Sequence, residues 1–172
     1  NRVLFLVDRK NLGKQAEGEF GTFRLTENGD PFNTIFGVER LKTAKIPNDA
    51  NVVISTIQRL FSLLSGDDFI DDDNEADYVV DGTRNMNLPV HPNLPPDYFD
   101  LIIIDECHRS IYGSWRSVLE YFSSAKMIGL TATPAVETLA FFNNNLIVNY
   151  TLEKSIVDGV NVDYRVFRIK HK

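Results

Sequence analysis

Asp105 and Glu106 stand side by side at the end of Phe99 to Ile104, the most apolar run in the chain. Two adjacent carboxylates at the tip of a buried strand repel one another and are costly to desolvate, so a cation should compensate them. Magnesium suits the position, because it takes one or two carboxylates together with phosphate oxygens and water. In that chemistry one acid holds the metal while its neighbour orients and polarises an attacking water. An acidic turn that caps the following helix fits the same two residues equally well, and the pair alone leaves both readings open.

Three other apolar runs end in compact polar groups. Val3 to Val7 is followed by Asp8-Arg9-Lys10, Asn51 to Ile54 by Ser55-Thr56, and Lys126 to Leu130 by Thr131-Ala132-Thr133-Pro134. Continuous apolar runs of this length suit strands buried on both faces of a parallel sheet. Helices are predicted between them: Asn11 to Phe20, Thr56 to about Leu64, Ser114 to Ser124, and one opening at Pro134 and running to about Asn143. Gly21 to Ala50 reads as a loop with a short helix near Val38 to Thr43. Leu146 to Tyr150 reads as a strand, Leu152 to Asp158 as a helix closed by Gly159, and Val162 to Ile169 as a last strand. Such alternation predicts an α/β fold of βαβ units with right-handed crossovers. Ligands of such sheets bind beyond the carboxyl ends of the strands, so the four polar groups are predicted at one rim.

With 172 residues, 43% hydrophobic and 24% charged, the chain suits one globular domain and not a disordered one. No apolar run approaches the roughly 20 residues that cross a bilayer, and no signal peptide is legible. The single cysteine excludes an internal disulfide. A soluble, cytosolic chain is therefore expected. The net charge of -6 has the wrong sign for a general nucleic-acid binder. Eight of the 24 acids, however, fall in one stretch without a Lys or Arg: Asp67, Asp68, Asp71, Asp72, Asp73, Glu75, Asp77 and Asp81. The remaining sixteen face 18 bases, so a local basic face is compatible with the overall acidity. That stretch, with the prolines that follow it, reads as an insertion over about residues 65–98 with some order of its own.

Together the motifs resemble a known family. Asp105-Glu106-Cys107-His108 resembles motif II (Walker B) of superfamily 2 helicases and translocases, and Gly129-Leu130-Thr131-Ala132-Thr133-Pro134 resembles their motif III. Leu6-Val7-Asp8-Arg9 with Leu12 and Gln15 is similar to motif Ia of the motor subunit of type I restriction enzymes, and Ser55-Thr56-Ile57-Gln58 to its next motif. Tyr150 to Tyr164, with Val157-Asp158-Gly159 at its centre, is similar to the segment after motif III. The resemblance implies a three-layer RecA-like parallel sheet, the first motor domain of an ATP-dependent translocase on duplex DNA, spanning residues 1–172 and incomplete. It implies that Asp105 holds magnesium through water and that Glu106 is the general base for ATP hydrolysis. By the same resemblance His108 couples the nucleotide to motif III, Thr131 and Thr133 relay its state, and Arg9, Thr56 and Gln58 lie near the DNA backbone. ATP and magnesium are the implied cofactors. Duplex DNA, methylation and specificity subunits and a second motor domain are the implied partners, in a bacterial or archaeal cytoplasm.

One part of the pattern is absent. The phosphate-binding loop needs a Gly-rich turn ending in Gly-Lys-Ser/Thr, and the sequence offers only Gly13-Lys14-Gln15, within a predicted helix. The loop and its strand are expected before Asn1, and the chain alone is expected not to hydrolyse ATP. A missing central strand predicts a gap in the sheet or an exposed edge. The competing readings are a type III restriction or DNA-repair helicase of the same superfamily and a degenerate helicase module without catalysis. Cys107 reads as a packing residue, His91 as a loop residue, His171 as exposed, and Trp115, Tyr121 and Phe122 as core. Asn143 to Asn145 reads as a helix exit, and the glycosylation-like Asn149-Tyr150-Thr151 as unused.

Overall fold

The computed structural model describes residues 1–66 and 87–163. The acidic stretch from Asp67 to Asp81, Tyr164, His171 and most of the last predicted strand lie outside the described residues.

Five parallel strands form one sheet in the order β2-β3-β1-β4-β5. They are β1 (Val3–Val7), β2 (Gly37–Arg40), β3 (Ala50–Thr56), β4 (Leu101–Ile104) and β5 (Lys126–Gly129). Helices α1 (Lys10–Thr22), α2 (Phe32–Ile35), α3 (Ile57–Ser65), α4 (Gly113–Tyr121), α5 (Val136–Phe141) and α6 (Leu152–Val157) alternate with them. The registers Val7 with Thr56, Leu6 with Ile104 and Ile104 with Gly129 bring the ends of β3, β1, β4 and β5 to one level. The expected α/β parallel sheet with helices on both faces is therefore present.

The two faces follow from the period of two in the strands. Leu4, Leu6, Val53, Ile102 and Ile104 point to one face, where they join Leu60, Phe61 and Leu64 of α3 and Val118 and Leu119 of α4 in the main core. On the other face α1 lies over β1, β2 and β3, where Gly13 approaches Val7 and Ile54, and Phe5 meets Phe20 edge to face at 6.2 Å. Over β4 and β5 that second face is thinly covered: Ile103 is half-buried and Ile128 is 41% exposed.

Several expectations need correction. Val38 to Thr43 is not helical: Val38 to Arg40 belongs to edge strand β2, and the short helix is Phe32–Ile35. A four-residue strand with one charged pair, Glu39 and Arg40, carries too little apolar alternation to be read from sequence. Leu146 to Tyr150 is not a strand. It is exposed and pairs with no strand among the described residues, since an apolar run becomes a strand only beside a neighbour's free edge. Val162 and Asp163 carry no regular structure. Among the described residues the sheet has no gap, and β5 pairs with β4 alone and forms one edge.

Within the segment read as an insertion, residues 87–98 are stitched to the domain. Tyr121 donates its hydroxyl proton to the Leu94 carbonyl at 2.7 Å and accepts the His91 amide at 3.0 Å, and Leu94 is buried in the core. Trp115 and Phe122 pack against the core as expected, and Gly13-Lys14 lies inside α1. Asn143 and Asn144 leave α5 with φ of 54° and 57°, a left-handed exit that asparagine tolerates.

Candidate functional site

The polar groups after β1, β4 and β5 converge because their strands are parallel and adjacent. The Asp105 amide donates to the Leu6 carbonyl at 2.8 Å, which carries the β4–β1 ladder one residue past the strand. Its carboxylate accepts the Glu106 amide at 3.1 Å. Glu106 then sits in the left-handed region at φ 47°, ψ 45°, a conformation that costs a residue with a Cβ about 1–2 kcal/mol. This turn throws the chain into a short 3-10 segment, Cys107–Arg109.

Backbone and packing clamp that segment onto the end of β5. The Cys107 amide donates to the Leu130 carbonyl at 3.0 Å, and the Leu130 amide to the Ile104 carbonyl at 2.8 Å. Gly129 is required by the close approach: a Cβ there would lie 2.6 Å from the Phe142 ring and 2.8 Å from the Cys107 sulfur. Burial, with the neighbouring charges of Glu106 and Asp105, pushes the Cys107 thiol up from its ordinary value, so it stays protonated and serves as packing.

A chain of close polar contacts follows. His108 Nδ1 lies 2.8 Å from the Thr131 hydroxyl and 3.3 Å from a Glu106 carboxylate oxygen. The Thr131 oxygen also accepts the Thr133 amide at 3.1 Å. Glu106, His108, Thr131 and Thr133 are thus linked in sequence, as the spacing predicted for a shared rim. Thr131 acts through its hydroxyl, whereas Thr133 enters through its main chain and its side chain stays exposed.

No Lys or Arg among the described residues forms an ion pair with Asp105 or Glu106, and the Glu106 carboxylate is 39% exposed. Among the described residues no group of three His, Cys, Asp or Glu is placed to hold a metal. The two carboxylates fit magnesium in the manner that ion favours, with few protein ligands and the rest supplied by phosphate and water.

Beside this turn a cleft of about 520 Å³ opens between the start of α1, the 106–109 turn and the loop after β5. Asp8 and Arg109 line it and pair across it. Sequence reasoning assigned neither a role. The signal available was only the alternation of charge after two strands, which any solvated turn shows. Arg9 also lines the cleft, 74% exposed, with its Nε 3.3 Å from Asp8 Oδ2.

Thr56 and Gln58 are placed otherwise. Thr56 is 2% exposed, and its hydroxyl accepts the Arg59 amide at 3.4 Å as the N-cap of α3. Its side chain is thus committed inside the fold and does not join Arg9 on the surface. Gln58 is half-buried with its carbonyl oxygen enclosed and unpartnered. As placed, that oxygen can only accept a hydrogen bond, so it offers nothing to a phosphate.

Comparison with known proteins adds four findings. The family described as "Type III restriction enzyme, res subunit" matches residues 1–136. The EcoKI endonuclease subunit of a type I restriction enzyme from Escherichia coli K12 is 31% identical over 182 aligned residues, covering 94% of this chain and 13% of that protein. The corresponding EcoAI subunit of Escherichia coli is 48% identical over 81 residues, 43% of this chain and 10% of that protein. The SauMSSORF170P subunit of Staphylococcus aureus MSSA476 is 29% identical over 176 residues, 95% of this chain and 16% of that protein. The chain therefore spans between a tenth and a sixth of the lengths of these relatives.

Proposed function

Since the chain belongs to the restriction-enzyme res-subunit family, a helicase-like family, we propose that it forms part of the first motor domain of a type I restriction endonuclease, the subunit that couples ATP hydrolysis to movement along duplex DNA. The observation that carries this reading is the convergence of Glu106 and Thr131 on Nδ1 of His108, with Thr133 bonded to Thr131. It links a carboxylate able to take a proton from water to the loop of the adjacent strand. The type I branch is favoured by relatives whose likeness runs through about 95% of the chain, past residue 136 where the family match ends.

In this reading Glu106 accepts a proton from the water that attacks the terminal phosphate of ATP, and its exposure leaves room for that water. Asp105 would hold magnesium through water, and the ion would supply charge neutralisation on the phosphates. His108 meets both Glu106 and Thr131 at the same atom, Nδ1, so the carboxylate and the hydroxyl share one nitrogen and a shift of the carboxylate is felt at the loop after β5. Arg9 meets a DNA phosphate, a contact that sets position and not sequence. The phosphate-binding loop, absent from this sequence, and the second motor domain are supplied by further sequence of the same polypeptide, in a cytoplasmic complex with methylation and specificity subunits. The small share of each relative that this chain covers supports that arrangement.

The test is Glu106→Gln in the whole subunit. ATP hydrolysis should fall by about 10²–10⁴-fold, the usual contribution of a positioned base, while nucleotide binding persists. Unchanged hydrolysis would remove the proposed base and with it the motor reading. The 172-residue chain alone should show no magnesium-dependent ATPase activity.

A further inference from the structure

The Thr131 hydroxyl has one hydrogen to give and two lone pairs to receive. One lone pair takes the Thr133 amide at 3.1 Å. The other close partner is His108 Nδ1 at 2.8 Å, and two arrangements fit that distance: the ring nitrogen donates, or the hydroxyl does. Glu106 decides between them, because its carboxylate oxygen lies 3.3 Å from the same Nδ1. If the hydroxyl donated, Nδ1 would be bare, and its lone pair would stand against the carboxylate with no hydrogen between the two negative ends. With the hydrogen on Nδ1, the positive end of the N–H bond lies beside both oxygens. A neighbouring carboxylate is a common means of fixing which ring nitrogen of a histidine is protonated. No Lys or Arg among the described residues pairs with Glu106, so no other cationic side chain relieves that contact.

We propose that His108 carries its hydrogen on Nδ1 and acts as a positioning residue: by donating to the Thr131 oxygen it turns the Thr131 hydroxyl hydrogen outward, as a free donor for an oxygen of the terminal phosphate of ATP. The phosphate rests on the reading above, whereas the placement of the hydrogen does not. With both lone pairs filled, the Thr131 oxygen can act only by giving its own hydrogen, and no group among the described residues accepts it. Thr131 is half-buried, so this donor is reachable and partly screened from water, where a hydrogen bond to a charged oxygen gains strength. Glu106 and Thr131 meet at one ring atom, which keeps a base and a donor side by side. Glu106 faces the attacking water, and Thr131 faces the group that is attacked. A donor aimed at phosphate oxygens stabilises the charge that shifts there during transfer. A ring with a bare Nδ1 would instead consume the Thr131 hydrogen and leave the hydroxyl nothing to offer a phosphate.

Nitrogen-15 NMR of the His108 ring in the wild-type chain tests the placement of the hydrogen without any nucleotide. At about pH 8.5, above the ordinary histidine range, two-bond proton–nitrogen correlations distinguish a hydrogen-bearing ring nitrogen from a bare one. Nδ1 should bear hydrogen; a bare Nδ1 overturns the inference and leaves the assignment of Glu106 as base standing. Nucleotide binding by the whole subunit tests the phosphate contact. Thr131→Val, which removes the hydroxyl, should weaken binding of a non-hydrolysable ATP analogue by about 10–100-fold, the usual worth of a hydrogen bond to a charged group. Binding of ADP, which lacks the terminal phosphate, should not change, and Thr131→Ser should recover the analogue because it restores the donor. An equal loss for both nucleotides is what a merely structural hydroxyl predicts. That result, no loss for either nucleotide, or no recovery in Thr131→Ser overturns the phosphate contact. Unchanged hydrolysis in Glu106→Gln is a separate outcome, which removes the motor reading and leaves the Nδ1 hydrogen to stand or fall by the NMR result.

Discussion

Strands β3 and β4 flank β1 and end at the same rim, yet they spend their terminal polar groups in opposite ways. After β3 the chain turns straight into α3. Thr56 caps the helix, sinks to 2% exposure and has its oxygen occupied by a backbone amide. After β4 the chain makes a left-handed turn at Glu106, whose carboxylate stays 39% exposed and touches only a histidine. The first end satisfies its polar atoms locally, which stabilises a helix and leaves nothing to offer a ligand. The second tolerates strain and an uncompensated charge pair, the condition under which a bound cation and a reacting phosphate become favourable partners. Chemistry at this rim therefore belongs where local satisfaction fails.

The comparison can be broken or sharpened in a graded series. Ile104→Ala, in a fully buried residue that anchors the strand beneath the 106–109 turn, should cost about 2–5 kcal/mol in denaturant unfolding. Leu60→Ala, equally buried in α3, should cost a similar amount, since both ends rest on one core. A much cheaper Ile104 variant would mean that the β4 end is loosely held. Gly129→Ala should cost about 1–3 kcal/mol by overpacking Phe142 and Cys107, and should displace the 106–109 turn, visible as changed amide shifts at His108 and Thr131. Thr56→Ala should lose about 1 kcal/mol as a missing cap, with Thr56→Ser close to neutral and DNA affinity unchanged in both. Loss of DNA affinity in Thr56→Ser would contradict the assignment of that hydroxyl to the helix.

Glu106→Gly should stabilise the fold by up to about 1 kcal/mol, because glycine adopts the left-handed turn without a Cβ penalty, while hydrolysis by the whole subunit is lost. Stability that falls instead would show that the carboxylate is held as tightly as the Thr56 hydroxyl. The smallest effect is expected at Glu17 near the opposite edge of the sheet. Burial raises its pKa, but hydrogen bonds and charge from Lys42 and Arg40 outweigh this and hold the carboxyl below its ordinary value. A lowered folded-state value means stability that is present above the ordinary carboxylate range and lost as pH falls through the folded value. Glu17→Gln should therefore be less stable than wild type at neutral pH, and the difference should vanish in acid; a difference that persists there would point to packing instead.

Strands β1, β3, β4 and β5 were legible because each is an apolar run long enough to be buried on both faces, and the helices between them because their apolar residues recur at helical spacing. Strand β2 was not, as a short edge strand with Glu39 and Arg40 has no such signature. Leu146 to Tyr150 misled for the converse reason: it has the composition of a strand and no neighbour to pair with. At the rim, Asp105, Glu106, His108 and Thr131 were found together because their motifs follow adjacent strands. The pairing of Asp8 with Arg109 stayed hidden, since 101 residues separate two ordinary charges that meet only in space.

Local pattern alone thus determined the alternation of elements, the parallel sheet and the set of strand ends where polar groups gather, because burial and periodicity act over a few residues at a time. Which of those groups remain free was decided only by the tertiary structure. The Thr56 hydroxyl is consumed by a backbone amide one turn away, Glu106 is held out by a left-handed turn wedged against β5, and Arg109 meets the carboxylate of Asp8 from the end of another strand while Arg9 reaches it from the next position in the chain. Each outcome depends on which donors and acceptors the fold brings within 3 to 3.5 Å, and the order of residues along a chain does not contain that distance.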